Sequence, residues 1–353
     1  MTSERLSLPR FRALPRTEQV AAALAPSRPV PVGLAIRLTV TLGRPRTCVL
    51  GVVAFLLGYA RIAEPGGWFV VLGTALTIIA GLVANLANAY TDVEEDSANL
   101  PSRIWLVARL GHRRLYWITA GLALAALALA VPQGWEFVAF VVVGLVLVYQ
   151  YSFPPLRLKA HPLLGLVGFA WAVIGPFLIG YFGALGSVRM PDAATLAVLG
   201  FLLLWTMAKG LVKNVPDYAG DRAAGLRTSA TIFPSRRAAA TTAAWATVLA
   251  YLALPLLVLA DALPTQVALA IVWVVPAGWQ GLRLVRAADP RVANTVLRQD
   301  MLLSLAFLTT VLLLAYPGVT VLVTVLACLA VVLLSDALAL DSRHDPEEPG
   351  GPR

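Results

Sequence analysis

The sequence predicts an all-α, polytopic membrane protein, a bundle of nine or ten transmembrane helices around a central lipid-accessible cavity. The chain of 353 residues is 59% hydrophobic and only 13% charged, with a mean hydropathy of +0.77. Its apolar residues fall in repeated runs of about 17 to 25, each long enough to cross a hydrocarbon core of about 30 Å as a helix. The runs are continuous rather than alternating, which excludes a β-barrel.

The chain divides into a leader, a membrane domain and a tail. Residues 1–36 are polar, basic and dotted with proline, so we expect a cytoplasmic leader that is partly disordered. Residues 37–340 form the transmembrane domain, and the polar tail 341–353 is expected to be disordered. The sequence predicts nine spans at about 46–62, 68–91, 115–131, 136–151, 163–185, 194–212, 238–260, 264–282 and 300–316. The apolar stretch 318–335 that follows is either a tenth span or a re-entrant segment.

Proline, glycine and polar residues mark the ends of the spans. The segment Tyr151–Pro162, YSFPPLRLKAHP, cannot continue the fourth span because two consecutive prolines interrupt the helix. Gly175-Pro176 lies inside the fifth span and predicts a kink. The loop between the second and third spans has about twenty residues, and loops of that length in a compact bundle are often functional.

Basic residues are distributed unevenly between the two sides of the bundle. Of the 28 Lys and Arg residues, only Arg61 and Arg189 lie in the loops that the positive-inside rule places outside the cell. The net charge of +9 therefore indicates topology, with the N-terminus on the cytoplasmic side of the cell membrane, and attraction to anionic lipid. It does not indicate a nucleic-acid site. No obligate protein partner is evident, and the two cysteines lie in apolar runs, so no disulfide framework is expected.

Two acidic clusters end long apolar runs on the predicted cytoplasmic side. Asn88, Asp92 and Asp96 follow the second span at spacings of four, which places their oxygens on one face of a helix. Asp217 and Asp221, again four apart, follow the sixth span. We expect the two clusters to face each other across a shared cavity.

The clusters indicate a diphosphate bound through metal ions. Oxygen ligands without Cys or His at ligand spacing favour hard cations, and Mg²⁺ is usually held by a few carboxylates together with substrate phosphates. A cavity lined by membrane helices favours a long apolar ligand. An isoprenyl diphosphate satisfies both requirements, since its diphosphate suits the metal site and its isoprenyl chain suits the cavity. Its allylic carbocation would be shielded from water by a lipid-embedded pocket. The candidate cationic partners of the diphosphate at this end of the bundle are Arg44, Arg157, Lys159, Lys213 and Arg222.

The motifs Asn88-x3-Asp92-x3-Asp96 and Asp217-x3-Asp221 resemble the two aspartate motifs of the UbiA-type intramembrane prenyltransferases. The segment Lys213–Thr231, KNVPDYAGDRAAGLRTSAT, is similar to the homogentisate prenyltransferase and lycopene elongase branch, and YSFPPLRLK to chlorophyll synthase. The resemblance extends from Arg44 to about residue 316. It implies nine membrane spans and a Mg²⁺-dependent enzyme.

The resemblance also implies roles for individual residues. Asn88, Asp92, Asp217 and Asp221 would hold Mg²⁺, with Asp96 in support. Lys213 would bind the diphosphate, and Tyr151 would face the reacting carbon or the acceptor. Many members carry Tyr-x3-Lys in the loop after the fourth span, whereas Pro155 stands four residues after Tyr151 here. The second diphosphate-binding residue is therefore either Arg157 or Lys159.

The predicted function is transfer of an isoprenyl group from its diphosphate to a lipophilic acceptor, aromatic or isoprenoid, through an allylic carbocation. A membrane terpene cyclase with the same diphosphate site is an alternative, because the cation can also be quenched intramolecularly. A transporter is disfavoured, since transporters usually place their charged sites near the bilayer midplane. The acceptor and the prenyl chain length are not indicated by the sequence.

Overall fold

The computed structural model describes residues 7–26 and 29–343, and within these ranges the chain is built from helices without strands. A 3-10 helix, Thr265–Trp273, precedes α15 and completes its span. The α-helices are, in order, α1 (Leu8–Arg12), α2 (Arg16–Leu24), α3 (Val32–Gly43), α4 (Pro45–Ala60), α5 (Gly67–Thr91), α6 (Val93–Asn99), α7 (Pro101–Leu110), α8 (His112–Ala130), α9 (Trp135–Ser152), α10 (Pro162–Leu185), α11 (Ala193–Asn214), α12 (Tyr218–Ala223), α13 (Arg236–Leu252), α14 (Leu254–Leu259), α15 (Val274–Arg286), α16 (Pro290–Ala315) and α17 (Val319–Ala337).

The prediction of nine or ten spans is confirmed. Among the described residues, nine helical segments are long and apolar enough to cross a membrane, and the pair α3 and α4, bent by 59°, makes a tenth if it is counted as one span. The bend lies at Arg44, whose φ of 53° is left-handed, and Pro45 then begins α4. The last apolar stretch, which the sequence left open, is the continuous helix α17.

Helices α4 and α10 pack closely at the centre of the bundle. A Cβ on Gly58 would lie 1.9 Å from the carbonyl oxygen of Phe177, and one on Gly180 would lie 2.0 Å from that of Phe55. The two glycines therefore bring the backbones into direct contact, as small residues do in membrane helix pairs. Pro176 lies inside α10, which remains one helix from Pro162 to Leu185.

Short helices gather at the end of the bundle where α5 and α11 finish. Helix α6 follows α5 and α12 follows α11, so each acidic cluster is carried into a short helix. The two short helices touch, because a Cβ on Gly220 in α12 would lie 2.0 Å from Oδ1 of Asn99 in α6. The expected meeting of the two clusters is thus realised by contact between α6 and α12.

The described parts of the leader and of the tail pack against the helix bundle. Phe11 and Ala23 from α1 and α2 are buried in an apolar cluster with α7, so the amphipathic leader packs on the bundle. Asp341 and Ser342 are also buried, because ion pairing and a backbone hydrogen bond hold them against the α3–α4 junction. Of the expected disordered stretches, residues 1–6, 27–28 and 344–353 lie outside the described residues.

Candidate active site

A cavity of about 330 Å³ lies between α4, α5, α9, α10, α11 and α16. Its wall is apolar along the spans, with residues such as Leu76, Phe140 and Val173, and polar at the end where α6 and α12 meet. Arg157 and Arg222 do not line it. Nine of the eleven residues predicted for the site do: Arg44, Asn88, Asp92, Asp96, Tyr151, Lys159, Lys213, Asp217 and Asp221.

The first aspartate motif spans a helix break. Helix α5 ends at Thr91, Asp92 has a non-helical φ of −94° and ψ of 18°, and α6 begins at Val93. The expectation that Asn88, Asp92 and Asp96 share the face of one helix is therefore wrong, although all three reach the cavity. Oδ1 of Asn88 accepts a hydrogen bond of 2.6 Å from the Ser152 hydroxyl, which fixes the amide at the cavity wall.

Three acids of the first motif region, Asp92, Glu95 and Asp96, are each paired with a cation. The Lys159 ammonium donates to the Asp92 carboxylate, and the Arg157 guanidinium donates to Glu95. Arg103 Nη1 lies 2.8 Å from Asp96 Oδ2, with both side chains at least nine-tenths buried. Lys159 therefore lies within the cavity, whereas Arg157 is bound to Glu95 at its margin.

The second motif follows the end of α11. Lys213, in the last turn of α11, places its ammonium 5.5 Å from the centre of the Phe169 ring. Asp217 lies at the start of α12 and accepts a hydrogen bond of 3.1 Å from Nη2 of Arg343. The predicted role of Arg222 does not match its position, because its guanidinium donates to the Tyr218 hydroxyl instead of facing the cavity.

The electrostatics of the site show that the two motifs lie close together. The pKa of Asp221 is raised to about 7 by burial and by the neighbouring carboxylate of Asp217. The pKa of Asp96 is also raised to about 7, by burial and by the carboxylates of Asp92 and Asp217, although Arg103 opposes the shift. The effect of Asp217 on Asp96 joins the motifs into one acidic site.

The pKa of Asp92 moves in the opposite direction. Burial raises it, but the positive charges of Lys159 and Arg103 outweigh burial and leave it below the usual value. Asp92 is therefore the carboxylate of the first motif that stays ionised most readily. An ionised carboxylate beside two groups that titrate near neutrality can accept a divalent cation with release of protons.

The donor set fits magnesium. Asp92, Asp217 and Asp221 supply carboxylate oxygens to one cavity, and Asn88 supplies an amide. Within the described ranges, no three Asp, Glu, His or Cys side chains converge closely enough to hold a metal ion by themselves. Mg²⁺ does not need such a closed set, because it is commonly bound by one or two carboxylates together with substrate phosphates and water.

Two functional candidates were missed by sequence reasoning. Lys209 and Asp300 form an ion pair of 2.8 Å in the cavity wall, with side-chain exposures of 8% and 6%. The sequence did carry a signal for this pair, because charged residues within or at the edge of an apolar run are rare in membrane spans and are often functional. The second candidate is Arg343. Nothing in the local sequence marks this residue, because its role depends on a contact with Asp217, which is far away in the chain.

Comparison with known proteins agrees with this geometry. The model of the UbiA prenyltransferase family matches residues 47–305. A digeranylgeranylglyceryl phosphate synthase from Methanopyrus kandleri is 28% identical over 288 residues, 78% of this chain and 100% of the relative. A synthase of the same name from Thermococcus gammatolerans is 29% identical over 206 residues, 58% of this chain and 72% of the relative.

Solved structures share the fold. A UbiA homolog from Archaeoglobus fulgidus bound to GPP and Mg²⁺ matches with a TM-score of 0.61 and 17% identity, over 84% of this chain and 99% of that chain. A digeranylgeranylglyceryl phosphate synthase structure matches with a TM-score of 0.57 and 17% identity, over 80% of this chain and 99% of that chain. The family match covers most of the chain, and the chain therefore belongs to the UbiA prenyltransferase family.

Proposed function

We propose that this prenyltransferase moves an isoprenyl group from its diphosphate to a lipophilic acceptor with the help of Mg²⁺, at the cavity end formed by α6 and α12. The observation that supports this most strongly is the meeting of two aspartate motifs above an apolar chamber. The diphosphate would lie among the charged groups, and the isoprenyl chain would extend between the spans. We propose that this end of the bundle faces the cytoplasm, as the distribution of basic residues predicts.

The carboxylates of Asp92, Asp217 and Asp221, with the amide of Asn88, would hold the metal. When bound, Mg²⁺ would neutralise the negative charge that develops on the leaving diphosphate oxygens. Asp96 would act in support: its carboxylate is already bound to Arg103, so it orients α6 and balances charge.

Lys159 and Lys213 are the cations that we assign to the diphosphate. Both line the cavity. Lys159 would exchange its contact with Asp92 for a diphosphate oxygen, and Lys213 carries its ammonium on the last turn of α11. Arg44 is a third candidate, although its Nε already donates to Asp341 at 2.8 Å. We assign no diphosphate contact to Arg157 or Arg222.

The wall below the charged groups suits an allylic carbocation. Tyr151, Phe169 and Trp171 line the cavity, and aromatic faces attract cations most effectively where water is excluded. The Tyr151 ring packs beside Gly168, where a Cβ would lie 2.8 Å from the ring. We therefore keep Tyr151 as the aromatic side chain nearest the reacting carbon or the acceptor.

The similar digeranylgeranylglyceryl phosphate synthases suggest the first acceptor to test, a glycerol lipid that already carries one isoprenyl ether. The purified protein would be incubated with geranylgeranyl diphosphate, Mg²⁺ and geranylgeranylglyceryl phosphate, and the lipids would be analysed by mass spectrometry. A parallel reaction with an aromatic hydroquinone tests the other acceptor class. Asp92→Ala and Asp217→Ala should abolish transfer, while Glu94→Gln, an exposed acid beside the first motif, should not.

Normal transfer by either aspartate variant at saturating Mg²⁺ would exclude the proposed mechanism. A cyclic hydrocarbon or alcohol formed from the diphosphate without added acceptor would show instead that the cation is quenched intramolecularly.

A further inference from the structure

The C-terminal segment that follows α17 returns to the mouth of the cavity. Helix α17 ends at Ala337, and three interactions hold the next residues. Asp341 Oδ1 accepts from Nε of Arg44 at 2.8 Å, and the backbone N–H of Ser342 donates to the carbonyl oxygen of Thr41 at 3.2 Å. The backbone N–H of Arg343 donates to Asp341 at 3.0 Å. The segment is thus tied to the junction between α3 and α4.

This anchoring places the Arg343 side chain in the active site. Arg343 lines the cavity, and its Nη2 donates to Oδ2 of Asp217 at 3.1 Å. The negative charges of Asp217 and Asp96 both act on this guanidinium, that of Asp217 more strongly. The guanidinium therefore lies within the electrostatic field of both aspartate motifs.

The guanidinium has donors that no other described residue uses. An arginine carries five N–H donors in a planar fork, and among the described residues Arg343 gives a side-chain hydrogen bond to Asp217. Its Nη1 is buried and has no hydrogen-bond partner in the part of the chain that the structure describes. A buried unpaired donor is unfavourable, so an acceptor bound beside Nη1 would stabilise the site. Phosphate oxygens match the guanidinium fork and can take two hydrogen bonds at once.

We propose that Arg343 binds the diphosphate group of the isoprenyl substrate, so that the C-terminal segment completes the active site from outside the helix bundle. The inference rests on the proposed function and adds a residue to it. Arg343 lies beyond residues 47–305, the stretch that the family model matches. A residue that only balanced the charge of Asp217 could be replaced by lysine without loss of diphosphate affinity, whereas a residue that binds the diphosphate through its guanidinium fork could not, which separates the two roles.

The test uses inorganic pyrophosphate with Mg²⁺ as the probe, bound to the purified full-length protein and measured by calorimetry. Arg343→Gln should weaken pyrophosphate affinity about tenfold to a hundredfold, the range expected for charge-assisted hydrogen bonds. Arg343→Lys, which keeps the charge and loses the fork, should recover part of the affinity. In turnover, Arg343→Gln should raise KM for geranylgeranyl diphosphate more than it lowers kcat.

Three further measurements guard against a folding defect. Arg227→Gln removes an exposed arginine from the loop after α12 and should leave pyrophosphate affinity within twofold of wild type. Asp341→Asn keeps Arg343 but releases the tether to Arg44, and should weaken binding less than Arg343→Gln does. Hydrogen exchange over residues 338–343 should slow when Mg²⁺ and pyrophosphate are added to the wild type.

Unchanged or tighter pyrophosphate binding by a folded Arg343→Gln protein would overturn the inference and leave the proposed function intact. Unchanged hydrogen exchange in the tail would contradict it as well. Failure of the wild type to bind pyrophosphate with Mg²⁺ would refute both.

Discussion

Gly220 provides a steric test of the contact that brings the two aspartate motifs together. In Gly220→Ala, the new Cβ would lie 2.0 Å from Oδ1 of Asn99 and 2.6 Å from both Cγ and Nδ2. Ordinary van der Waals contact begins near 3.4 Å, so α12 and α6 must separate by up to about 1.4 Å, or Asn99 must swing aside. Asp221 is the residue next to Gly220, and the metal-binding oxygens would move with it.

A displacement of about 1 Å in a catalytic constellation can reduce activity by about a hundredfold. We therefore expect Gly220→Ala to lower kcat/KM for geranylgeranyl diphosphate about tenfold to a hundredfold, measured by Mg²⁺-dependent prenyl transfer. Thermal unfolding should change little, because the short helices lie outside the packed spans. The double variant Asn99→Ala/Gly220→Ala removes the clashing atoms and should restore most of the activity.

Gly200→Ala is the matched control, since nothing lies within 4 Å of a Cβ at that helical position. Wild-type activity in Gly220→Ala would contradict the predicted displacement of Asp221 and would mean that Asn99 swings aside. Loss of activity that Asn99→Ala fails to rescue would refute the argument that the α6–α12 contact positions the motifs.

Three further predictions follow from the ion pairs and the buried carboxylates. Lys159→Gln should raise KM for the diphosphate at least tenfold, whereas Arg157→Gln should change KM less than threefold, because of the two only Lys159 lines the cavity. Equal effects of the two variants would contradict this assignment. Lys209→Met should lower the free energy of unfolding in detergent by about 3–5 kcal/mol, because it leaves Asp300 buried and unpaired. The double variant Lys209→Met/Asp300→Leu should recover most of this loss. Additive losses would refute the pairing argument. The pKa of Asp221 is raised to about 7 by burial and by Asp217, so this carboxyl is protonated below that pH. Mg²⁺ affinity measured by calorimetry should therefore rise up to about tenfold per pH unit from pH 5 to 7 and then level off. Asp221→Asn should flatten this rise.

The spans and the aspartate motifs were the most predictable parts of the protein. Long apolar runs determine membrane helices almost by themselves, because a lipid-exposed backbone must satisfy its hydrogen bonds within the helix. Asp92 and Asp217 stood out because acids at the ends of such runs have no packing reason to be there. The cavity position of both follows from where α5 and α11 end.

Side-chain direction was the part that the sequence could not supply. Arg157, Lys159 and Arg222 are equally basic residues near the same interface, and only their contacts separate them. Lys159 meets Asp92, Arg157 meets Glu95, and Arg222 turns to Tyr218. The break at Asp92 was also hidden, because the spacing of four is compatible with a continuous helix.

The position of residues 341–343 could not be predicted for a different reason. Residues 341–353 are polar in composition, and composition alone predicts disorder. The ion pair between Arg44 and Asp341 joins positions 297 residues apart, and such a long-range contact leaves no local pattern. The same holds for Arg103. The sequence places it in a loop whose basic residues indicate topology, and only the structure shows that it lies in α7 and pairs with Asp96.

The most direct test of a single shared site is a double-mutant cycle on Mg²⁺-dependent pyrophosphate binding with Asp92→Asn, Asp217→Asn and the double variant. If the two motifs hold one metal-bound diphosphate, each single change should weaken binding severely and the double change should add little, because the residues act as a unit. Additive losses, or one aspartate whose removal leaves the affinity unchanged, would contradict a site built from both motifs.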